Sequence, residues 1–280
     1  MNDALIVSIL SVVPKSRGAR LMGMGARLRL PRFAHRLLLR WFVAKYQVDL
    51  SESEGSIEDF NSLAEFFIRR LKPGLRPIDQ EDGILVSPAD AKAHTFGRIE
   101  NGLFLQADGR PASVAELVGP EHADRFDGGE YAVLYLAPPD YHRVHSPAAG
   151  TVAFLDYRPG TLWPVFAAAT RKVGELFGRN ERLVIHMDTD AGRIAEVMVG
   201  AFGVGRIGNV FDPQITNAGK RIESVTLDPK PKVERGGEVG RFELGSTVIL
   251  LCEPGRVEWE MEPGQVTRVG QRIARVKPSA

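Results

Sequence analysis

The sequence predicts an α+β fold in which N-terminal amphipathic helices precede a predominantly antiparallel β body of barrel-sandwich type. Arg29, Arg32, Arg36 and Arg40 recur at spacings of three and four, as residues on one side of an α-helix do. After Asp79 the chain breaks into short apolar runs separated by Gly, Pro and Asp, the punctuation of strands and tight turns. The 29 Gly and 18 Pro supply that punctuation.

In chain order, Ala4 to Val13 is an apolar run ending at Pro14, too short to span a bilayer, which takes about 20 residues. Met1-Asn2-Asp3 lacks the positive start of a secretory signal. From Arg29 the basic stripe runs beside Leu37, Leu38, Trp41 and Phe42, the profile of a helix lying in a membrane interface. A helix docked on the body with solvated arginines fits the same pattern. Ser51 to Ser56 reads as a linker. Ser56-x-x-Asp59 reads as a capping box, and Phe60, Leu63, Phe67 and Leu71 as the buried face of a second helix stopping before Pro73-Gly74. The expected strands are Ile84–Val86, Leu103–Leu105, Tyr131–Leu136, Thr151–Tyr157, Arg182–Met187, Ile194–Val204, Thr247–Cys252 and Ile273–Val276. Val86-Ser87-Pro88-Ala89 echoes His145-Ser146-Pro147-Ala148, a sign of duplication. Residues 262–271 carry a lipoyl-like hairpin rhythm without a lysine at the tip, so a carrier role is not supported.

Apolar content of 44% and charged content of 25% over 280 residues place the chain in the ordinary soluble globular class, as one large domain or two small ones. Cys252 is the single cysteine, which excludes an intrachain disulfide and favours a reducing compartment. One Cys and six scattered His offer no metal-ligand spacing, so no metal is expected. Residues 1–50 hold nine Lys/Arg against Asp3 and Asp49, a net of +7 that leaves −6 on the remainder. A basic segment on a mildly acidic body points to an anionic surface. The body shows no basic stripe with interleaved aromatics, which argues against nucleic acid and leaves a membrane.

Chemistry-bearing residues gather at three places. Gly245-Ser246-Thr247 feeds an apolar strand. Gly245 exposes its carbonyl to close approach, and the Ser246 hydroxyl stands beside it. Tyr141-His142-Arg143-Val144-His145 follows a double-proline turn. In a strand His142 and His145 point to opposite faces; in an irregular segment both can line one pocket. Asp90 ends Ser87-Pro88-Ala89-Asp90, as a turn aspartate or as a carboxylate that orients a histidine. Asp90, His145 and Ser246 together have the chemistry of an Asp–His–Ser triad.

Five segments in order resemble bacterial phosphatidylserine decarboxylases: Phe66-Phe67-Ile68-Arg69-Arg70-Leu71-Lys72-Pro73-Gly74 with Arg76-Pro77-Ile78-Asp79; Ser87-Pro88-Ala89-Asp90; Asp140-Tyr141-His142-Arg143-Val144-His145; Leu176-Phe177-Gly178-Arg179-Asn180-Glu181-Arg182; and Leu244-Gly245-Ser246-Thr247. Ala91 departs from the family's usual glycine, a change expected to tighten the turn and shift Asp90 slightly.

The resemblance implies a proenzyme that cuts itself between Gly245 and Ser246, with His145, oriented by Asp90, activating the serine. Residues 1–245 become a β-chain and 246–280 an α-chain that starts with a pyruvoyl group derived from Ser246. That group forms a Schiff base with the amine of phosphatidylserine, releasing carbon dioxide and phosphatidylethanolamine. His142 is implied in the pocket, on the substrate carboxylate or in proton handling. Residues 1–50 are then the membrane-contacting segment and 51–280 the catalytic domain of a peripheral protein on the cytoplasmic face of an anionic membrane, as a homodimer. Two alternatives stay open: a serine hydrolase acting on an external acyl group, although no Gly-x-Ser-x-Gly elbow surrounds Ser246, and a membrane-associated barrel without catalysis.

Overall fold

The computed structural model describes residues 25–106, 108–163, 174–201, 206–216, 223–243 and 247–278. The apolar run Ala4–Val13 and the pair Gly245-Ser246 lie outside them. The architecture is α+β and mostly antiparallel.

Helix α1, Arg32–Tyr46, ends at Gln47 in the left-handed region. It splits its apolar residues between two faces. His35, Leu39 and Phe42 are buried, while Phe33, Leu37 and Trp41 are 78%, 70% and 53% exposed. The expected face grouping Leu37 and Leu38 with Trp41 and Phe42 is therefore divided: Phe42 turns inward and Leu37 and Trp41 turn to solvent. Leu39 and Phe42 pack on Phe66 and Phe67, each such burial contributing about 2 kcal/mol. The expected second helix is shorter. The Ser56–Asp59 capping box closes a 3₁₀ turn at Ile57–Asp59, and α2 is Leu63–Phe67, capped by Ser62. It stops early because the chain beyond it pairs with residues 52–54, through Glu54 N–H to Arg70 O at 3.0 Å and Lys72 N–H to Glu52 O at 2.9 Å.

The body follows. Strands β1 (Ile84–Val86), β2 (Ala91–Arg98), β3 (Leu103–Leu105) and β4 (Pro111–Ser113) lead into helices α3 (Val114–Val118) and α4 (Pro120–Ala123). Then come β5 (Glu130–Tyr135), β6 (Arg143–His145), β7 (Gly150–Arg158), helix α5 (Leu176–Arg179), β8 (Arg182–Thr189) and β9 (Gly192–Val199). The chain ends with β10 (Ile207–Asn209), β11 (Lys232–Val233), β12 (Glu238–Phe242), β13 (Thr247–Cys252), β14 (Val257–Trp259), β15 (Val266–Thr267) and β16 (Arg272–Val276).

An eight-stranded sheet runs β11-β7-β8-β9-β13-β5-β2-β15, flanked by the three-stranded sheets β1-β16-β14 and β10-β12-β6. Among the described residues the large sheet is open at β11 and β15 and closes no barrel. One of its faces shares a core with the small sheets, joining Leu134, Leu155, Ile185 and Leu250 to Leu85, Val144 and Ile273. The other, with Val133, Val184, Val197 and Ile249, packs on Leu117, Phe126, Leu176 and Phe177.

The strand order is a palindrome, because the body is built twice. Val86 N–H bonds Pro147 O at 2.9 Å, and His145 N–H bonds Pro88 O at 2.8 Å. Ser87 exchanges backbone bonds with Gly270 and Gln271 as Ser146 does with Gly236 and Gly237. The Ser87 and Ser146 hydroxyls each donate to the carbonyl two residues on. The β2 ladder shifts register between Ala93 and Thr95, and the β7 ladder between Val152 and Phe154. One copy, β6 to β12, is continuous and inserted into the other. Where β8 turns directly into β9, the matching β5 and β13 are separated by that whole copy. Residues 136–142 are its entry and 243–246 its exit.

Candidate active site

The site lies at that junction. Phe242 N–H bonds His142 O at 2.9 Å, tying the exit strand to the entry segment. Thr247, 1% exposed, pairs with Tyr135 and Val199 on the far side of residues 244–246.

His145 ends β6. Its Nδ1 lies 2.8 Å from Gly236 O. A carbonyl only accepts, so Nδ1 carries the hydrogen and Nε2 keeps its lone pair. The Tyr141 hydroxyl, 3.3 Å from Nε2, is its donor. Burial pushes the imidazole below its ordinary 6.5, opposed by the Gly236 bond and by the charges of Glu238 and Asp90. The result is a neutral, half-sheltered base. Gly236 cannot be replaced freely: its φ is +76°, and a Cβ would stand 2.4 Å from Ile78 Cδ1.

Asp90 is 7% exposed. Arg76 Nε lies 3.0 Å from both carboxylate oxygens and Nη2 2.6 Å from Oδ2, while Val269 N–H donates to Oδ1 at 2.9 Å. Glu52 holds the other edge of Arg76 at 2.7 and 3.1 Å and takes Arg268 at 3.0 Å. Burial opposes the Arg76 charge, but bonds to Asp90 and Glu52 outweigh it and raise its pKa. Among the described residues no hydrogen bond joins Asp90 to His145; its carboxylate is already spent on Arg76 and Val269, and it acts on the imidazole through space. The crossed Pro88–His145 bond is what brings the two segments together.

His142 is fully buried. Its Nδ1 donates to Asp140 O at 2.8 Å, its ring meets Phe67 edge-on at 4.8 Å, and Nε2 is buried without a partner among the described residues. Burial pushes its pKa down to about 3, with the Asp140 carbonyl opposing and Arg69 assisting. Arg69 donates to Pro139 O at 2.8 Å; Arg143 donates to Ile68 O at 2.9 Å and pairs with Glu238 at 2.7 Å. The Asp140 carboxyl accepts from Ala137 N–H at 2.6 Å and is pushed up to about 6, chiefly by burial.

The family model described as phosphatidylserine decarboxylase matches residues 63–275. A phosphatidylserine decarboxylase proenzyme of Myxococcus xanthus is 43% identical over 276 residues, covering 98% of this chain and 99% of its own. One from an Anaeromyxobacter is 44% identical over 98% and 99%, and one from Pseudomonas fluorescens 39% identical over the whole of both. The chain belongs to the phosphatidylserine decarboxylase family.

Of the residues expected to act, the structure gathers Asp90, His142 and His145 at the junction; Gly245 and Ser246 lie outside the described residues. The decarboxylase motif also gains partners that sequence reading passed over. Arg76, Tyr141 and Gly236 touch the expected residues directly, Glu52 reaches Asp90 only through Arg76, and the motif strings containing Arg76 and Tyr141 were the available signal. Ala91 begins β2 as a buried strand residue with no positive φ, a backbone conformation that does not require glycine. A metal-compatible group exists elsewhere: His122, Asp156 and His186 place ligand atoms within 4.8 Å of one another, although Asp156 already accepts from Arg158 and Ser224 at 2.6 Å each. Sequence spacing could not show it, because its members come from α4, β7 and β8.

Proposed function

We propose that this chain is a self-processing, pyruvoyl-dependent decarboxylase of phosphatidylserine, cutting itself between Gly245 and Ser246 into residues 1–245 and 246–280. The observation that carries the reading is the His145 tautomer: Nδ1 is committed to Gly236, and the Nε2 lone pair, met by the Tyr141 hydroxyl at 3.3 Å, is the base beside the junction bracketed by Glu243 and Thr247. His145 takes the Ser246 proton, the serine oxygen attacks the Gly245 carbonyl, and the amide gives way to an ester. Asp90, held by Arg76, stabilises the imidazolium electrostatically rather than by a shared bond.

The buried, unpartnered Nε2 of His142 fits a site that hosts a reactive group. When formed from Ser246, a pyruvoyl group supplies a carbonyl that takes up the substrate amine and draws off the electron pair left by carbon dioxide. His142, neutral and with Nδ1 committed, offers only an acceptor there. A substrate carboxylate is also an acceptor, so proton handling is the role it fits.

The substrate class asks for a membrane surface. Among the described residues no helix is long and apolar enough to cross a bilayer. The exposed row Phe33, Leu37 and Trp41 on α1, flanked by Arg32, Arg36 and Arg40, supports peripheral contact with an anionic bilayer at the cytoplasmic face. Residues 1–50 supply that contact and 51–280 the chemistry. A homodimer and a barrel-sandwich type for the β body belong to the same reading.

An intact denatured mass tests the processing. The 30.8 kDa chain is expected to yield a fragment of roughly 3.9 kDa with a ketone in place of its first amine. A chain that stays whole during prolonged incubation with phosphatidylserine vesicles rejects the proposal, and Ser246→Ala gives the uncut reference.

A further inference from the structure

The N-terminus of α1 opens on a cavity of about 400 Å³ lined by Arg29, Arg32, His35, Arg36, Glu58 and Asn61 among others. Four features there have no internal explanation. His35 is 7% exposed, yet both ring nitrogens are buried without a hydrogen-bond partner among the described residues. Leaving such a group unsatisfied costs about 1–3 kcal/mol. The helix has no side-chain cap and no acidic residue in its first turn, so no side chain of that turn offsets the positive end of its dipole. Three arginines line the cavity against one carboxylate, Glu58, which Arg36 already meets at 3.4 Å. Finally, Leu28, Leu30 and Phe33 stand exposed at 59%, 38% and 78% around the same helix start.

We infer that this cavity is a phosphate-binding site and that its occupant is the headgroup phosphate of an anionic phospholipid. Guanidinium forks pair with phosphate oxygens bidentately, and an uncapped helix N-terminus suits an anion. His35 supplies an imidazole N–H to a third oxygen. The apolar rim favours a phosphate that arrives attached to a bilayer over one free in solution. The site would anchor α1 in one orientation, where diffuse charge would only draw it to the surface. This rests on the membrane contact proposed for α1.

The test is sedimentation of the full-length, untagged protein with vesicles of phosphatidylcholine alone or mixed with phosphatidylglycerol. Arg29→Ala/Arg32→Ala is expected to weaken binding to the mixed vesicles at least tenfold. Lys230→Ala/Lys232→Ala removes the same charge at exposed positions of the body, outside the cavity and outside the membrane-contacting segment, and is expected to change it less than threefold. Equal losses in the two double variants reduce the site to diffuse attraction and overturn the proposal. Inorganic phosphate at millimolar concentration is expected to compete with vesicles for the unaltered chain. Phosphate that binds through Arg29 and Arg32 while vesicle binding ignores both residues assigns the cavity to free phosphate and overturns the lipid source. Phe33→Ser/Leu37→Ser separates the two layers of argument. If that variant loses vesicle binding and Arg29→Ala/Arg32→Ala does not, the membrane contact stands and the cavity proposal falls. If neither variant loses it, both fall.

Discussion

Arg76 closes on Asp90 with Nη2 at 2.6 Å from Oδ2 and Nε at 3.0 Å from both oxygens, and the two side chains are only 9% and 10% exposed. Removing one member of so sheltered a pair strands the other, at about 3–5 kcal/mol. Arg76→Ala is therefore expected to lower the urea midpoint strongly and to slow self-processing. Adding Asp90→Asn to it should restore part of the stability, because the stranded charge is gone, and none of the processing. Additive stability losses in that double-mutant cycle would show that the pair is not coupled.

Processing should also report the charge state of His145. Its base form is the neutral imidazole, and burial moves its pKa below 6.5. The rate of chain cutting, followed by gel from a refolded precursor, is expected to be flat above pH 6.5 and to fall only in more acid solution. His145→Gln should leave the precursor whole at every pH. A rate that keeps climbing from pH 7 to 9 would assign the proton transfer to another group.

The sequence made some of this legible and hid the rest for identifiable reasons. Ile84–Val86, Leu103–Leu105 and Thr247–Cys252 are strands at the expected boundaries, since each is an apolar run closed by polar or turn-forming neighbours. The strand expected at Ile194–Val204 runs Gly192–Val199, with 202–205 outside the described residues. β2, reading Ala-Lys-Ala-His-Thr-Phe-Gly-Arg, and β12, reading Glu-Val-Gly-Arg-Phe, were missed. Their membership is decided by partners far along the chain, which composition does not show. The Ser-Pro-Ala echo was the visible trace of duplication, because equivalent positions have diverged elsewhere. Val86 now occupies the position equivalent to His145, and each donates one of the two crossed bonds. Sequence also cannot show that Arg76, fourteen residues away, engages the Asp90 carboxylate, so that among the described residues no hydrogen bond joins Asp90 to His145.

Gly236 links the fold to the base. Its carbonyl fixes the His145 tautomer, and its φ of +76° and contact with Ile78 leave no room for a side chain. Gly236→Ala is expected to cost about 1–3 kcal/mol of stability and to reduce processing as well. Ile78→Ala in the same chain should relieve the collision and leave the dihedral strain. Recovery of the melting temperature without recovery of cutting would show that the carbonyl position matters to His145. A Gly236→Ala chain that cuts at the normal rate would separate the tautomer from this carbonyl.

Asp140 and His142 pull stability in opposite directions with pH. Asp140 holds its proton more tightly in the folded chain, with a pKa of about 6 against 3.8. Folded protein thus binds more protons across that window, and this contribution is lost as pH rises through it. His142 is the reverse, at about 3 against 6.5. The unfolded chain binds the extra proton there, and stability is lost as pH falls below 6.5. The histidine has the larger displacement, and His186, at about 2 with burial as the chief cause, adds to it. Net acid destabilisation is therefore expected below pH 6.5. Asp140→Asn keeps an acceptor for Ala137 N–H and removes the opposing slope. It should stabilise the fold by about 2–3 kcal/mol at pH 8 and by little at pH 4, read as the urea midpoint at each pH. An equal gain at both would mean that the Asp140 carboxyl does not titrate in this window.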